Sequence, residues 1–178
     1  KEEEFFSKAK KELNLKNAKL VSFGSTRKLN NTVEEDPQVK ALIDSETDYV
    51  CIVGKSSKLH ITKALQTDVS NAIDMAVDTI KYLKSKDKKV FFDAEHFFDG
   101  YKEDSQTSIE ILDAVIKAGT DCFIFCDTNG GTLPDEVHEI LSEILNQYPK
   151  VKFGVHFQND NGCAVANSMV AVELGVDH

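Results

Sequence analysis

Alternation of apolar and polar positions is clearest between Val151 and Asp160, in the stretch VKFGVHFQND. Apolar side chains recur there at every second residue: Val151, Phe153, Val155 and Phe157. This period predicts a strand with one buried face. The polar residues His156, Gln158 and Asp160 fall on the opposite face, at the carboxyl end where parallel α/β folds carry their chemistry. Residues 156 and 158 point the same way, so both can reach one small ion or ligand.

Four other apolar runs predict strands, two of them continuing into loops: 19–23, 48–54, 89–101 (strand then loop) and 121–131 (strand then loop). Helical periods and capping residues predict helices between them: 2–16, Asp36-Pro37 to Ser45, a long helix from Asp68, Ser105–Lys117 closed by Gly119, Pro134–Gln147, and one from Gly162 to near Gly175. The long helix has a predicted inner face of six residues: Ala72, Met75, Ala76, Thr79, Ile80 and Leu83.

A helix followed by five βα units requires parallel strands joined by right-handed crossovers. Polar residues follow every predicted strand: Ser25, Lys55, Glu95, Asp127 and His156. A polar cluster at the end of each strand favours an α/β fold of the (β/α)₈ TIM-barrel type, because an open sheet uses only the strands beside its switch point. The alternative is a five-stranded flavodoxin-like domain, which should carry a glycine-rich loop after its first strand. Only Gly24 is found there.

Five strands do not close an eight-stranded barrel, whose usual size is about 250 residues. Residues 1–178 are therefore expected to be the central portion of a single TIM-barrel catalytic domain, with its first strands and last strand outside this sequence.

The composition restricts the classes of partner and the compartment expected for this protein. The net charge of −9 disfavours nucleic acid, which requires a concentrated positive face. No apolar run approaches the ~18 residues of a membrane span, and no charged-then-apolar leader opens the sequence. Cys51, Cys122 and Cys126 lie in predicted buried strands and behave most simply as small core residues of a reducing compartment. We therefore expect a cytoplasmic protein with no nucleic-acid or membrane partner.

Glu95 and His96 follow the buried FFDA run of the third strand, and Asp93 lies two residues before Glu95 on the same face. A carboxylate at a barrel mouth can bind a substrate hydroxyl or a metal-bound water, and catalytic residues come from such strand ends, so Glu95 is a candidate catalytic residue. His96 is better explained as a helix-capping or loop-ordering residue. His60, also placed in a loop, is expected to be solvated.

Two further groups of polar residues have two interpretations each. Asp127, Thr128 and Asn129, followed by two glycines, suit a small carboxylate that needs several donors, or form an Asx turn before the next helix. Arg27 and Lys55 lie just after strands, where each can pair with an anionic substrate or simply neutralise an acidic surface.

The motifs FFDAEHFFDGYKED, CDTNGGTLPDEV and GVHFQNDNGCAVANSMVAVELGVDH resemble the 2-isopropylmalate synthase, homocitrate synthase and citramalate synthase family, and most closely its citramalate synthases. The resemblance implies a metal-dependent TIM-barrel acyltransferase, homodimeric at full length, that condenses acetyl-CoA with a 2-oxo acid (pyruvate for citramalate) in isoleucine and leucine biosynthesis. It implies that His156 is a metal ligand, that Thr128 binds the keto-acid carboxylate with Asp127 and Asn129 in support, and that Glu95 lies at the reacting centre.

The sequence departs from this family at one metal position, where Gln158 replaces a histidine. An amide is a weaker ligand than imidazole, which favours Mg²⁺ or Mn²⁺ while leaving Zn²⁺ open. The family's first-strand Asp-Thr-Thr-Leu-Arg-Asp-Gly motif and its last-strand asparagine loop are absent from these residues, so this piece alone is expected to be inactive. Two alternatives remain: a carbon–carbon lyase of the hydroxymethylglutaryl-CoA type, and a non-catalytic ligand-binding relative in which Gln158 marks a decayed site.

Overall fold

The computed structural model describes residues 2–178, with side chains described from Glu4 onward. Its strands are β1 (Val21–Ser25), β2 (Tyr49–Lys55), β3 (Lys89–Glu95), β4 (Cys122–Asp127) and β5 (Phe153–Phe157). Its helices are α1 (Glu2–Glu12), α2 (Pro37–Asp44), α3 (Lys58–Lys63), α4 (Val69–Ser85), α5 (Phe97–Glu103), α6 (Ser105–Ala118), α7 (Pro134–Gln147) and α8 (Ala164–Glu173). Among these helices, none is long and apolar enough to cross a bilayer.

The strands form one parallel sheet in which neighbours in sequence are neighbours in space, in the order β1-β2-β3-β4-β5. A flavodoxin-like sheet has its second strand outside its first, so that alternative is wrong. Sequential parallel strands with helical crossovers are the arrangement of a (β/α)₈ barrel, and the predicted fold class is confirmed.

One face of the sheet forms the core with the helices. Phe92, Phe123 and Phe125 are fully buried on it, in the same cluster as Leu83 of α4 and Leu112 of α6. Burial of each such side chain contributes about 1.5–3 kcal/mol. Because side chains alternate along a strand, the polar residues between these apolar ones are turned to the other face.

Amphipathic patterning located the long helices accurately. All six residues predicted for the inner face of α4 are buried. Asp68 caps this helix by accepting a hydrogen bond from the Asn71 N–H at 2.8 Å. Gly119 ends α6 at φ 97°, a left-handed conformation that glycine adopts at low cost.

The N-terminus of α2 is fixed by a buried carboxylate. Asp36 is fully buried and accepts four hydrogen bonds, from Lys28, Asn31, Gln38 and Val39, at 2.9–3.3 Å. Burial alone would raise the pKa of Asp36, but these hydrogen bonds together hold it below its usual value.

Two short helices were not predicted. The segment after β3 was expected to be a loop, but residues 97–103 form α5; the segment containing His60 forms α3, so its assignment to a loop was wrong. Helices of six and seven residues are too short to show an apolar period, and they depend on tertiary packing instead. The structure also ends α1 at Glu12 rather than residue 16, and β1 and β5 each begin two residues later than expected.

Candidate active site

The carboxyl ends of β3, β4 and β5 deliver polar side chains to one pocket of about 230 Å³ on the face of the sheet turned away from the core. It is lined by Phe23, Val53, Asp93, Glu95, Cys126, Thr128, His156 and Gln158. The predicted catalytic carboxylate, the predicted metal residues and the predicted carboxylate-binding threonine therefore share one cavity. Its volume lies below the ~300–1,000 Å³ of pockets for drug-sized ligands and suits a molecule of few heavy atoms.

A buried carboxylate lies beside the imidazole of this pocket. Asp93, only 4% exposed, has Oδ2 3.1 Å from Nδ1 of His156, whose side chain is half exposed. Its Oδ1 is 3.0 Å from Sγ of Cys126, which stands opposite His156 in the register of β4 and β5. Burial, and then the negative charge of Asp93, raises the pKa of the Cys126 thiol, so this cysteine keeps its proton.

Glu95 forms an ion pair with Lys55, its register partner on the neighbouring strand. Their side chains are 27% and 22% exposed, so the pair is largely shielded from solvent. Glu95 and Val53 also line a second pocket of about 310 Å³, which includes Lys55 and Arg27. Glu95 thus stands on a wall common to two adjoining pockets.

Arg27 lies at the edge of that second pocket, but its guanidinium is already engaged. It donates to Asp78 of α4 at 2.7 and 3.0 Å, and to the carbonyl oxygens of residues 28, 29 and 31 at 3.3–3.4 Å. The Arg27 side chain is 13% exposed. These contacts tie the loop after β1 to α4.

Thr128 is held with its hydroxyl at the pocket. Its Oγ1 accepts the backbone N–H of His96 at 2.8 Å, so the hydroxyl proton is left to donate into the cavity. His96 adopts a left-handed φ of 59° and stacks on His60, with ring centroids 3.6 Å apart and planes at 11°. Burial, and then the neighbouring charge of His60, lowers the pKa of His96. His96 therefore orders the chain beside Glu95, as expected, whereas His60 is a packing partner rather than a solvated residue.

The loop after β4 and the loop after β5 are built against each other. Asp127 is 1% exposed and accepts the Thr132 N–H at 3.1 Å, so its carboxylate supports the loop from beneath rather than lining the pocket. Its carbonyl oxygen accepts the N–H of Gln158 at 3.2 Å. Gly130 has a φ of 62°, and a Cβ atom there would lie 2.6 Å from Oδ2 of Asp160, so the tight contact requires glycine.

Asn129 is turned away from the pocket. Its amide donates to Asp99 of α5 at 2.6 Å, which joins the β4 loop to that helix. Of the three residues predicted in this loop, the structure brings Thr128 alone to the cavity wall.

Sequence reasoning missed the direct partner of His156. Asp93 was noted for sharing a face with Glu95, and Cys126 was treated as a core residue. The available signal was the position of Asp93 within the apolar run VFFDA, where a carboxylate must find buried partners.

The residues of this pocket fit a divalent metal ion. Because Nδ1 of His156 faces Asp93, Nε2 is the nitrogen left for a ligand, and the amide of Gln158 lines the same cavity. Imidazole nitrogen with amide and carboxylate oxygen suits Mg²⁺, Mn²⁺ or Zn²⁺. Within the part of the chain that the structure describes, one group of three potential ligands was found, Asp93, Cys126 and His156, with donor atoms within 4.8 Å of one another.

Fold and site together define a class of protein: a barrel-type α/β scaffold with a small polar site at the carboxyl ends of its strands. The chain belongs to the HMGL-like family, whose profile matches residues 7–178. It is 50% identical over 171 residues to the (R)-citramalate synthase of Aquifex aeolicus, covering 96% of this chain and 32% of that protein. It is 32% identical over 146 residues to a homocitrate synthase of Sulfolobus acidocaldarius, covering 82% of this chain and 30% of the relative.

Solved structures agree on the fold. The HMG-CoA lyase of Bacillus subtilis superposes with a TM-score of 0.79 at 16% sequence identity, over 97% of this chain and 56% of the lyase. The predicted family resemblance is confirmed by the profile and by the matches to the two synthases. The chain spans about a third of the length of the synthases that it matches.

Proposed function

We propose that the full-length protein containing this chain is an acyltransferase that condenses acetyl-CoA with a 2-oxo acid, pyruvate, to give citramalate for isoleucine and leucine biosynthesis in the cytoplasm. The chain would be the central portion of one catalytic barrel, in a homodimer. The observation that carries the proposal is the position of Glu95, on the wall common to two pockets, one of which also holds Thr128 and His156. A reaction between two substrates requires their reacting atoms to lie close together, as they would in two adjoining pockets.

The roles follow from chemistry and position. The Thr128 hydroxyl would donate to the carboxylate of the 2-oxo acid, since its oxygen already accepts from His96. The second pocket, which Lys55 lines, would receive the acetyl thioester. Glu95 would then be within reach of the acetyl methyl proton, which must be removed before the new carbon–carbon bond forms. Hydrolysis of the thioester releases free CoA thiol.

His156, through Nε2, and Gln158, through its amide oxygen, would hold a divalent ion, Mg²⁺ or Mn²⁺, with further ligands from outside these residues. When bound, such an ion stabilises negative charge on the keto oxygen. The protein's contribution is to keep His156 oriented, to place Thr128 against the same substrate, and to hold Glu95 in its ion pair with Lys55.

The test is an assay of the full-length protein with acetyl-CoA, pyruvate and Mn²⁺, following free thiol and identifying the product by chromatography. Glu95→Gln should lower kcat by about 10²–10⁴-fold, the usual contribution of a general base, while Mn²⁺ binding persists. Glu143→Gln is the matched control, because Glu143 accepts from Tyr101 on the outer helices, away from the pocket. Wild-type activity with an unaffected Glu95→Gln variant would refute the role of Glu95.

The same preparation separates the alternatives. Cleavage of hydroxymethylglutaryl-CoA without condensation of pyruvate would establish the lyase. No turnover and no heat on mixing with Mn²⁺ or pyruvate would indicate a decayed site, and restoration by Gln158→His would identify its cause.

A further inference from the structure

Three side chains from adjacent strands form a hydrogen-bonded row in the wall of the pocket: Cys126 on β4, Asp93 on β3 and His156 on β5. At one end of the row is the Cys126 thiol, which is 3% exposed, and at the other is the half-exposed imidazole of His156. Asp93 and His156 are 63 residues apart in sequence, so only the parallel register brings them together. The roles above use Asp93 only as the neighbour of His156 and assign nothing to Cys126.

The direction of each hydrogen bond follows from what the groups can donate. A carboxylate has lone pairs only, so both of its neighbours must be donors. The Cys126 thiol donates to Oδ1 of Asp93 at 3.0 Å. With the carboxylate ionised, the 3.1 Å contact at Oδ2 assigns a proton to Nδ1 of His156. In the neutral ring, this leaves the lone pair on Nε2.

We propose that Asp93 is a positioning residue that fixes His156 as its Nδ1–H tautomer, with Nε2 available to a divalent ion, and that Cys126 holds Asp93 in register for this task. This rests on the proposed function. A carboxylate partner makes imidazole a better metal ligand and fixes its orientation. Such support has particular value here because Gln158 offers only an amide in the same pocket.

Asp93→Asn is the most conservative test, because it replaces only one carboxylate oxygen by an NH₂ group. The Cys126 S–H donates to an oxygen, so the amide oxygen is expected to face Cys126 and the amide NH₂ to face His156. That NH₂ would donate to Nδ1 and drive the ring proton to Nε2, the atom that must carry the lone pair. We expect Mn²⁺ affinity of the full-length protein to fall by about 10- to 100-fold, the usual effect of losing such a partner.

The experiment has two readouts in addition to activity. Mn²⁺ binding is measured by electron paramagnetic resonance on the full-length wild type, Asp93→Asn and Asp113→Asn. Asp113 is the matched control, because it also accepts a hydrogen bond, from Tyr148 at 2.8 Å, but on the outer helices. Long-range ¹H–¹⁵N spectra of the metal-free proteins, labelled with ¹⁵N-histidine, report the tautomer of His156, assigned with His156→Gln.

An Nδ1–H tautomer in the wild type, lost in Asp93→Asn together with Mn²⁺ affinity and retained in Asp113→Asn, supports the proposal. An Nε2–H tautomer in the wild type overturns it even if Asp93→Asn does not fold, and so does unchanged Mn²⁺ affinity in a folded Asp93→Asn protein. Wild-type protein that shows the Nδ1–H tautomer but does not turn over acetyl-CoA and pyruvate would refute the proposed function and leave the positioning role of Asp93 intact.

Discussion

At Gly54, β2 packs closely against the side chain of Phe92 on β3. A Cβ atom built there would lie 2.5 Å from Cζ and 2.7 Å from Cε2 of Phe92. Phe92 is fully buried, with its ring 5.8 Å from that of Phe123, so it has no free space to move into. The next residue is Lys55, which pairs with Glu95. We therefore expect Gly54→Ala to destabilise the sheet and to disturb the site together.

The magnitude follows from two opposing effects. Forcing a methyl group into a filled core costs about 1–3 kcal/mol. Replacing glycine by alanine in a strand returns about 0.5–1 kcal/mol, because the unfolded chain loses freedom. The two effects together leave a net loss of up to about 2.5 kcal/mol, centred near 1 kcal/mol, which corresponds to a roughly 5-fold change in the unfolding equilibrium. Shortening the opposing ring by Phe92→Leu should relieve the clash, so the two substitutions should be coupled by about 1 kcal/mol or more.

Hydrogen exchange of the β2 and β3 amides, measured by mass spectrometry on the full-length protein, gives both the loss of stability and the coupling energy. The wild type, Gly54→Ala, Phe92→Leu and the double variant complete the cycle. Gly131→Ala is the control, since no atom lies within 4 Å of its added Cβ and the expected change is within about 0.5 kcal/mol. If Gly54→Ala costs the same in the Phe92→Leu background as in the wild type, the ring contact is not the cause.

Two further predictions concern titration and thiol reactivity. The pKa of Asp36 is lowered in the folded protein, so the ionised carboxylate stabilises the fold fully above the unfolded pKa of about 3.9. This stabilisation is lost as the pH falls through the folded pKa. In urea unfolding, the stability difference between wild type and Asp36→Asn should therefore be constant above pH ~5 and shrink below pH ~4. Cys163 should react first with an alkylating reagent, since Cys51, Cys122 and Cys126 are buried and their thiol pKa values are raised by that burial, to about 12 for Cys122. Peptide mass spectrometry of the native protein checks this, and equal labelling at Cys126 would contradict it.

The sequence predicted the features that follow from the spacing of apolar and polar residues. It did not predict contacts between residues that are far apart in the sequence. The inner face of α4 and the polar strand ends follow from residues close in sequence, and they were found. The stacking of His60 on His96 and the pairing of Arg27 with Asp78 join segments that no local pattern connects. The same holds for the partner of His156.

Asp93 shows how a break in a local pattern identifies a site. A strand in the middle of a parallel sheet should be apolar on both faces, and β3 is apolar from Val90 to Phe92, where Asp93 interrupts the run. At 4% exposure that carboxylate costs free energy unless both of its oxygens have donors, and an apolar side chain there would need none. Its donors are a protonated thiol and an imidazole at the pocket wall. A chain selected for stability alone has no reason to keep this row, whereas a chain that must hold one ring in one tautomer does.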